Sequence, residues 1–173
     1  MRILYLHGLG SDGLMKGKRD ILEKNLKSRN IYSPLLDYYQ NEIENKIESI
    51  FRKDNYDLII GSSTGAMVAH ALSALYGTKA ILMNPAFSHP IVDKLMPKLI
   101  RSTRLGDHCI YVFGSEDNVV PIEGTQRFLS IDHFPKGRSM VIEGMEHRIR
   151  VEELNQIFSS SLVQSFITKE TLT

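Results

Sequence analysis

The sequence has little of what builds disulfide frameworks, cysteine metal clusters or membrane spans. Its 173 residues include one cysteine, Cys109, so neither an intrachain disulfide nor a cysteine-ligated metal cluster is expected. There is no tryptophan, and no apolar run approaches the roughly 18 residues that a membrane-spanning helix needs. The 21 Lys and Arg residues nearly balance the 20 Asp and Glu residues. A formal charge of +1 gives no reason to expect a nucleic-acid or membrane-surface partner.

The remaining composition is that of an ordinary globular protein. Hydrophobic residues make up 42% of the chain and charged residues 24%. A chain of this length predicts a single domain over residues 1–173. The apolar run at residues 3–6 is too short for a secretory signal and leads directly into glycines, which favours a cytoplasmic location. Cys109 lies in an apolar run and is expected to be a buried small hydrophobe.

Short apolar segments alternate with helical patterns along the chain. Strands are predicted at 2–6, 31–37, 56–60, 79–83, 109–113 and 139–142, and helices at 18–28, 41–53, 64–76 and 151–167. Pro34 favours an edge position for the second strand. The strands are apolar on both faces and separated by helices, which predicts an α/β fold with a parallel sheet covered on both sides.

One connection is longer than usual, at residues 85–107. Its apolar residues recur at helical spacing, but Pro90 and Pro97 interrupt it. The pattern favours a layer helix broken at Pro97. The alternative is a segment that shapes an apolar cleft and so influences the choice of substrate.

Five residues between a predicted strand and a predicted helix have the pattern Gly-x-Ser-x-Gly, here Gly61-Ser62-Ser63-Thr64-Gly65. In a sharp strand-to-helix turn, this pattern pushes the hydroxyl of Ser63 out above the sheet. The glycines avoid collisions with neighbouring backbone. The helix start adds N–H groups and partial positive charge beside the hydroxyl. A plain Ser/Gly loop is the alternative.

Two other predicted strands are followed by residues that could work with this serine. Ligands gather at the carboxyl ends of parallel strands, and Ser63, Asp117 and His147 all follow strands. They supply the hydroxyl, carboxylate and imidazole of a nucleophilic triad, in the chain order expected for a serine on such a turn. Glu116 is the alternative acid, although Asp117 fits the motif better. If Asp117 is instead only a turn residue, it would cap the helix after Pro121. The other histidines are interpreted as surface or core residues: His7, His70, His89, His108 and His133.

An oxyanion hole needs two backbone N–H groups aimed at the developing negative charge. The residue after the nucleophile, Thr64, and the loop after the first strand, at Leu9, are the candidates. His7 could order that loop by hydrogen bonding. Asn84 and Asn118 are predicted to be turn formers near the mouth of the site.

Four motifs follow predicted strands in one order: HGLG at 7–10, GSSTG at 61–65, GSEDNVVP at 114–121 and GMEHR at 144–148. With them the chain, from residue 2 to about residue 167, resembles the α/β-hydrolase superfamily and is similar to its small, lid-less bacterial esterases of the YqiA type. The resemblance implies a nucleophile at Ser63, an acid at Asp117, a base at His147 and oxyanion donors at Leu9 and Thr64. It also implies a minimal three-layer α/β/α sandwich with a six-stranded parallel sheet in the order 2-1-3-4-5-6 and no cap domain.

These residues predict a serine hydrolase that cleaves a small acyl ester or thioester, without a cofactor or a metal. One alternative is a non-catalytic hydrolase-fold module that binds a protein partner. Another is a dinucleotide-binding oxidoreductase that uses Gly8, Gly10 and Gly13 with Asp37, a reading that leaves the three triad residue types without a purpose. The basic residues at 16–19 are interpreted as a solvated helix start. The alternative is that they bind an acidic group of a substrate, such as a phosphate.

Overall fold

Strands and helices alternate along residues 1–88 and 105–169, the part of the chain that the computed structural model describes. The strands are β1 (Ile3–Leu6), β2 (Ile31–Tyr32), β3 (Leu58–Ser62), β4 (Lys79–Met83), β5 (Cys109–Gly114) and β6 (Ser139–Ile142). The helices are α1 (Lys16–Leu26), α2 (Ile43–Lys53), α3 (Thr64–Tyr76), α4 (Ile122–Leu129), α5 (Val151–Ser159) and α6 (Ser161–Thr168).

The six strands form one sheet in the order β2-β1-β3-β4-β5-β6, and every pair is parallel. The predicted sheet and its strand order are therefore confirmed. In the register, Leu6 pairs with Gly61 and Ser62 pairs with Met83, so the loops after β1, β3 and β4 leave the sheet at the same edge. This edge is where the predicted site residues should meet.

Alternating strand residues build a core on each face of the sheet. On one face, strand side chains pack against α2, α3 and α4; the strand members include Leu4, Leu6, Ile59, Leu82, Tyr111 and Phe113. On the other face, they pack against α1, α5 and α6; the strand members include Ile3, Tyr5, Ile60, Ile81, Ile110 and Val112. The predicted three-layer α/β/α sandwich is confirmed, and Cys109 is fully buried as expected.

Strand β2 is much shorter than the predicted segment 31–37, which is wrong beyond Tyr32. Pro34 has no N–H to donate to a sheet ladder. Two residues further along, the N–H of Leu36 donates to His7 Nε2 at 2.9 Å. The edge position predicted for this strand is confirmed.

The predicted closing helix at 151–167 is also wrong, because it is two helices, α5 and α6. Ser160 between them has an extended ψ of 145°, and its hydroxyl accepts a hydrogen bond from Val163 N at 3.3 Å. A serine that caps the next helix in this way competes with continuation of the first.

Helix α4 begins after Pro121. The sequence indicated this helix only in the alternative interpretation of Asp117 as a helix cap. The helix predicted within 85–107 falls mostly on residues 89–104, outside the described residues. In the described part of the chain, no helix is long and apolar enough to cross a bilayer.

Candidate active site

Ser63 stands at the corner between β3 and α3 with φ 55° and ψ −120°. Positive φ is uncommon for a residue with a side chain and marks backbone strain. Both flanking glycines are packed against backbone: a Cβ on Gly61 would lie 2.4 Å from Ala66 Cα, and one on Gly65 would lie 2.1 Å from the carbonyl oxygen of Leu6. The corner therefore has the tight geometry that the Gly-x-Ser-x-Gly pattern predicts.

His147 reaches Ser63 from the loop that follows β6. Its Nε2 lies 3.0 Å from Ser63 Oγ, and its Nδ1 lies 2.8 Å from Asp117 Oδ2. With Nδ1–H donating to the carboxylate, Nε2 is free to accept the serine hydroxyl proton. The structure thus brings together the three residues predicted from strand ends, and the imidazole bridges the other two.

Asp117 is held on its other side by backbone. Its side chain is 2% exposed, and Oδ1 accepts hydrogen bonds from Val119 N and Val120 N, both at 2.9 Å. This leaves Oδ2 directed at His147. Glu116, the alternative acid, is exposed. Asp117, and not Glu116, is the carboxylate that contacts the imidazole.

His7 orders the loop after β1, as its position suggested. Its Nδ1 donates to the carbonyl of Gly8 at 2.7 Å, and its Nε2 accepts from Leu36 N at 2.9 Å. The hydroxyl of Tyr38 donates to the His7 carbonyl at 2.6 Å. Because both ring nitrogens have partners in a buried site, this imidazole fixes the backbone that leads to Leu9.

The two candidate oxyanion donors flank Ser63. Within residues 1–88 and 105–169, neither the Leu9 N–H nor the Thr64 N–H donates a hydrogen bond. Gly8 brings the first loop close, since a Cβ there would lie 3.1 Å from Ser63 Cβ. Leu9, Thr64, Ser63 and His147 all line one cavity, so both N–H groups remain candidates for holding an oxyanion.

Asn84 has a larger part in the site than sequence reasoning assigned. It is buried, at the end of β4, with a left-handed φ of 46°. Its Nδ2 donates to the carbonyl of Glu146 at 3.0 Å, and its Oδ1 accepts from Gly114 N at 2.9 Å. It therefore ties the loop that carries His147 to the end of β5. From the sequence, only an asparagine at a strand end was visible. That position indicates a turn, but it does not reveal the hydrogen-bond partners of the Asn84 side chain.

Two clefts meet at Ser63 and His147. The apolar cleft, of about 230 Å³, is lined by Leu9, Ala86, Val119 and Val120. A second cleft, of about 170 Å³, lies on the other side of Ser63 and contains polar and basic groups. A larger cavity, of about 600 Å³, lies at the amino ends of β3 and β4, away from this site.

The residues of the dinucleotide alternative do not assemble as that alternative requires. Asp37 does not end β2, which stops at Tyr32; it is exposed, and its Oδ1 accepts from Tyr39 N at 3.0 Å in a local turn. Gly8 lies against Ser63. Among the described residues, no group of three or more His, Cys, Asp or Glu side chains is arranged to hold a metal ion.

Comparison with known proteins places the chain in a family. Residues 2–112 match the model of the uncharacterised protein family UPF0227. The chain belongs to this family. The match covers most of the chain, and it supports the resemblance to the small YqiA-type esterases. A comparison with curated protein sequences found no match.

Solved structures share the fold at low sequence identity. A serine hydrolase homologue from Coxiella burnetii is 18% identical over 95% of this chain and 84% of that chain, with a TM-score of 0.59. MGS-MChE2, an α/β-hydrolase enzyme from a sediment metagenome of the Mar Chica lagoon, is 15% identical over 91% and 86%, with a TM-score of 0.63. Est1E from Butyrivibrio proteoclasticus, with bound ferulic acid, is 12% identical over 96% and 89%, with a TM-score of 0.67. The predicted α/β-hydrolase fold is confirmed.

Proposed function

We propose that the protein is a serine hydrolase that cleaves a carboxylic ester or thioester through an acyl-enzyme. The observation that carries the proposal is the hydrogen-bonded chain from Ser63 Oγ through His147 to Asp117, at 3.0 and 2.8 Å. A hydroxyl becomes an effective nucleophile when an imidazole can take its proton and a carboxylate orients that imidazole.

The first half of the reaction forms the acyl-enzyme. Ser63 Oγ attacks the carbonyl carbon while His147 Nε2 takes the hydroxyl proton. The carbonyl oxygen becomes an oxyanion that accepts hydrogen bonds from the N–H groups of Leu9 and Thr64. The tetrahedral intermediate then collapses, the bond to the leaving oxygen or sulfur breaks, and His147 gives its proton to the leaving group.

The second half repeats the sequence with water. His147 Nε2 takes a proton from a water molecule as the water oxygen attacks the acyl carbon. The bond between Ser63 Oγ and the acyl group breaks, and His147 returns the proton to the serine. Asp117 stabilises the imidazolium in both halves, because its carboxylate faces Nδ1 from a buried position and is anchored by Val119 and Val120.

The apolar cleft is suited to the acyl chain. Among the described residues, the apolar side chains of Leu9, Ala86, Val119 and Val120 line it next to Ser63. Burying an acyl chain there removes apolar surface from water, which contributes about 0.8 kcal/mol for each methylene. Rates within a substrate series should therefore rise with chain length until the cleft is full.

A panel of p-nitrophenyl esters and acyl thioesters of increasing chain length, assayed with wild type and Ser63→Ala, tests the proposal. We expect Ser63→Ala to lose activity by about 10⁴-fold or more, since removing a nucleophile leaves only the background of the remaining site. Ser62→Ala is the matched control, one position away, and should lose far less. Undiminished hydrolysis by Ser63→Ala, or equal losses in the two variants, would contradict the proposal.

A further inference from the structure

The second cleft at Ser63 has a distinct chemical character. It lies between the loop after β1 and the residues that follow His147, and it is lined by Tyr5, Ser11, Lys18 and Arg148. We call it the basic cleft. Its volume of about 170 Å³ accommodates a small group and not a long chain. Because Ser63 and His147 also line it, a ligand group bound there would be part of the molecule that Ser63 attacks.

Among residues 1–88 and 105–169, neither cation of the basic cleft has a direct partner that neutralises it. In the described part of the chain, Lys18 and Arg148 form no ion pair and no hydrogen bond. The carboxylate whose charge reaches Lys18 is Glu153. That carboxylate is occupied: Oε2 accepts from Arg150 N at 2.7 Å, and Oε1 accepts from Arg150 Nε at 2.9 Å.

The environment of Lys18 is unfavourable for an isolated ammonium group. Burial lowers the pKa of Lys18, the positive charge of Arg148 lowers it further, and Glu153 only partly opposes these effects. A half-buried cation beside a second cation gains stability when an anion enters between them. Binding of a negatively charged group between Lys18 and Arg148 should therefore be favourable.

Tyr5 adds a neutral hydrogen-bond donor to the same cleft. It is 4% exposed, and its hydroxyl has no hydrogen-bond partner among residues 1–88 and 105–169. Burial raises the pKa of Tyr5 to about 12, so the phenol keeps its proton at neutral pH. The hydroxyl is therefore available to donate a hydrogen bond to a group bound in the cleft. A carboxylate or phosphate oxygen would accept this hydrogen bond as well as those of the two cations.

We propose that the basic cleft binds an anionic group of the ester or thioester substrate, through Lys18 and Arg148 with Tyr5 as an additional donor. This inference rests on the proposed hydrolase function and extends it by naming a charged substrate class. His147 lines both clefts, so the anionic group lies either on the acyl part or on the leaving group.

Two matched substrate pairs distinguish these positions. The first compares p-nitrophenyl hemisuccinate with p-nitrophenyl 4-methylpentanoate, in which an isopropyl group replaces the acyl carboxylate. The second compares 4-carboxyphenyl butyrate with 4-carbamoylphenyl butyrate, in which an amide replaces the carboxylate of the leaving group. The readout is the ratio of kcat/KM for the anionic substrate to kcat/KM for its neutral match, so intrinsic reactivity cancels between enzyme variants.

Lys18→Met should lower this ratio by about tenfold or more in one of the two pairs, as expected for the loss of a charge-assisted contact. Arg148→Met should lower it in the same pair. The Arg148 side chain is exposed, so its replacement should not disturb the fold. Arg148→Met is therefore the variant to use if thermal melting shows that Lys18→Met is unfolded. Lys16→Met is the matched control, because Lys16 is exposed on the same helix and does not line the cleft. Its ratio should equal that of wild type.

The outcomes separate the inference from the proposed function. Ser63-dependent hydrolysis of the neutral esters, with ratios unchanged in Lys18→Met and Arg148→Met, overturns the anionic subsite and leaves the hydrolase intact. Equal decreases in Lys16→Met and Lys18→Met indicate a general charge effect and also overturn the subsite. If none of the four esters shows Ser63-dependent hydrolysis, the proposed function fails and the subsite fails with it.

Discussion

Gly65 is the position where one added carbon should damage both the fold and the site. A Cβ there would lie 2.1 Å from Leu6 O, 2.5 Å from Leu6 C and 2.6 Å from His7 O. These are backbone atoms, so no side-chain rotation relieves the overlap. To bring the shortest of these distances to ordinary van der Waals contact, α3 and the end of β1 must separate by about 1.3 Å or more. That separation moves Ser63 and Thr64 away from the loop that carries Leu9.

The expected effects of Gly65→Ala follow from this displacement. Overpacking in a core costs about 1–3 kcal/mol, and we expect the upper end because the clash is between rigid backbone segments. For a domain of this size, about 3 kcal/mol corresponds to a decrease in Tm of roughly 10 °C. A misplacement of about 1 Å between reacting groups and oxyanion donors should lower kcat on the order of 10²-fold.

Thermal melting and hydrolysis of p-nitrophenyl butyrate measure these two effects. Gly17→Ala is the control: Gly17 is helical, and a Cβ there would meet only Val151 Cγ2 at 3.6 Å. It should stabilise the protein by about 0.5 kcal/mol, because alanine has the higher helix propensity. A Gly65→Ala variant with wild-type Tm and wild-type kcat would refute the close approach of α3 and β1 on which the elbow depends.

Three further predictions test individual side chains. Asp117→Asn should lower kcat by about 10⁴-fold through the wrong imidazole tautomer, whereas Glu116→Gln should have a small effect; steady-state kinetics showing equal losses would mean that the acid was misassigned. Asn84→Ala should lower kcat about tenfold with little change in KM, since it frees the loop of His147 from β5; a change confined to KM would contradict this positioning role. Cys109 is buried, and its thiol pKa is raised to about 11, so a disulfide reagent at pH 8 should react only after unfolding; rapid reaction of the folded protein would show that the residue is accessible.

Much of the fold could be predicted because the responsible signals are local. Runs such as Leu58–Ser62 and Cys109–Gly114 are apolar on both faces, which identifies central parallel strands before any contact is known. The positions of Ser63, Asp117 and His147 at strand ends then placed them at one edge of the sheet. The rule that strands of a parallel sheet end at a common edge made this inference possible.

Most of the errors and omissions depend on contacts between distant parts of the chain. The early end of β2 reflects the hydrogen bond from Leu36 to His7. Likewise, Asn84 matters because the fold brings Glu146 and Gly114 within its reach. Sequence spacing alone contains no information on these partners. The break at Ser160 is the exception, because Ser160 caps α6 through Val163, three residues further along.

The basic cleft illustrates the same limit. Lys18 belonged to a cluster that was interpreted as a solvated helix start, with contact to an acidic substrate group as the alternative, and Tyr5 belonged to an ordinary buried strand. Only the packing of α1 beside the loop of Arg148 places these side chains in one cavity next to Ser63.

Covalent labelling with a fluorophosphonate, followed by peptide mass spectrometry, tests most directly whether Ser63 is the nucleophile. Such a reagent reacts with a serine hydroxyl that a neighbouring imidazole activates. We expect a single adduct on the peptide that contains Ser63, full labelling of Ser62→Ala, and none of Ser63→Ala. An adduct on another residue of the wild-type protein, or undiminished labelling of Ser63→Ala, would contradict the assignment of the nucleophile.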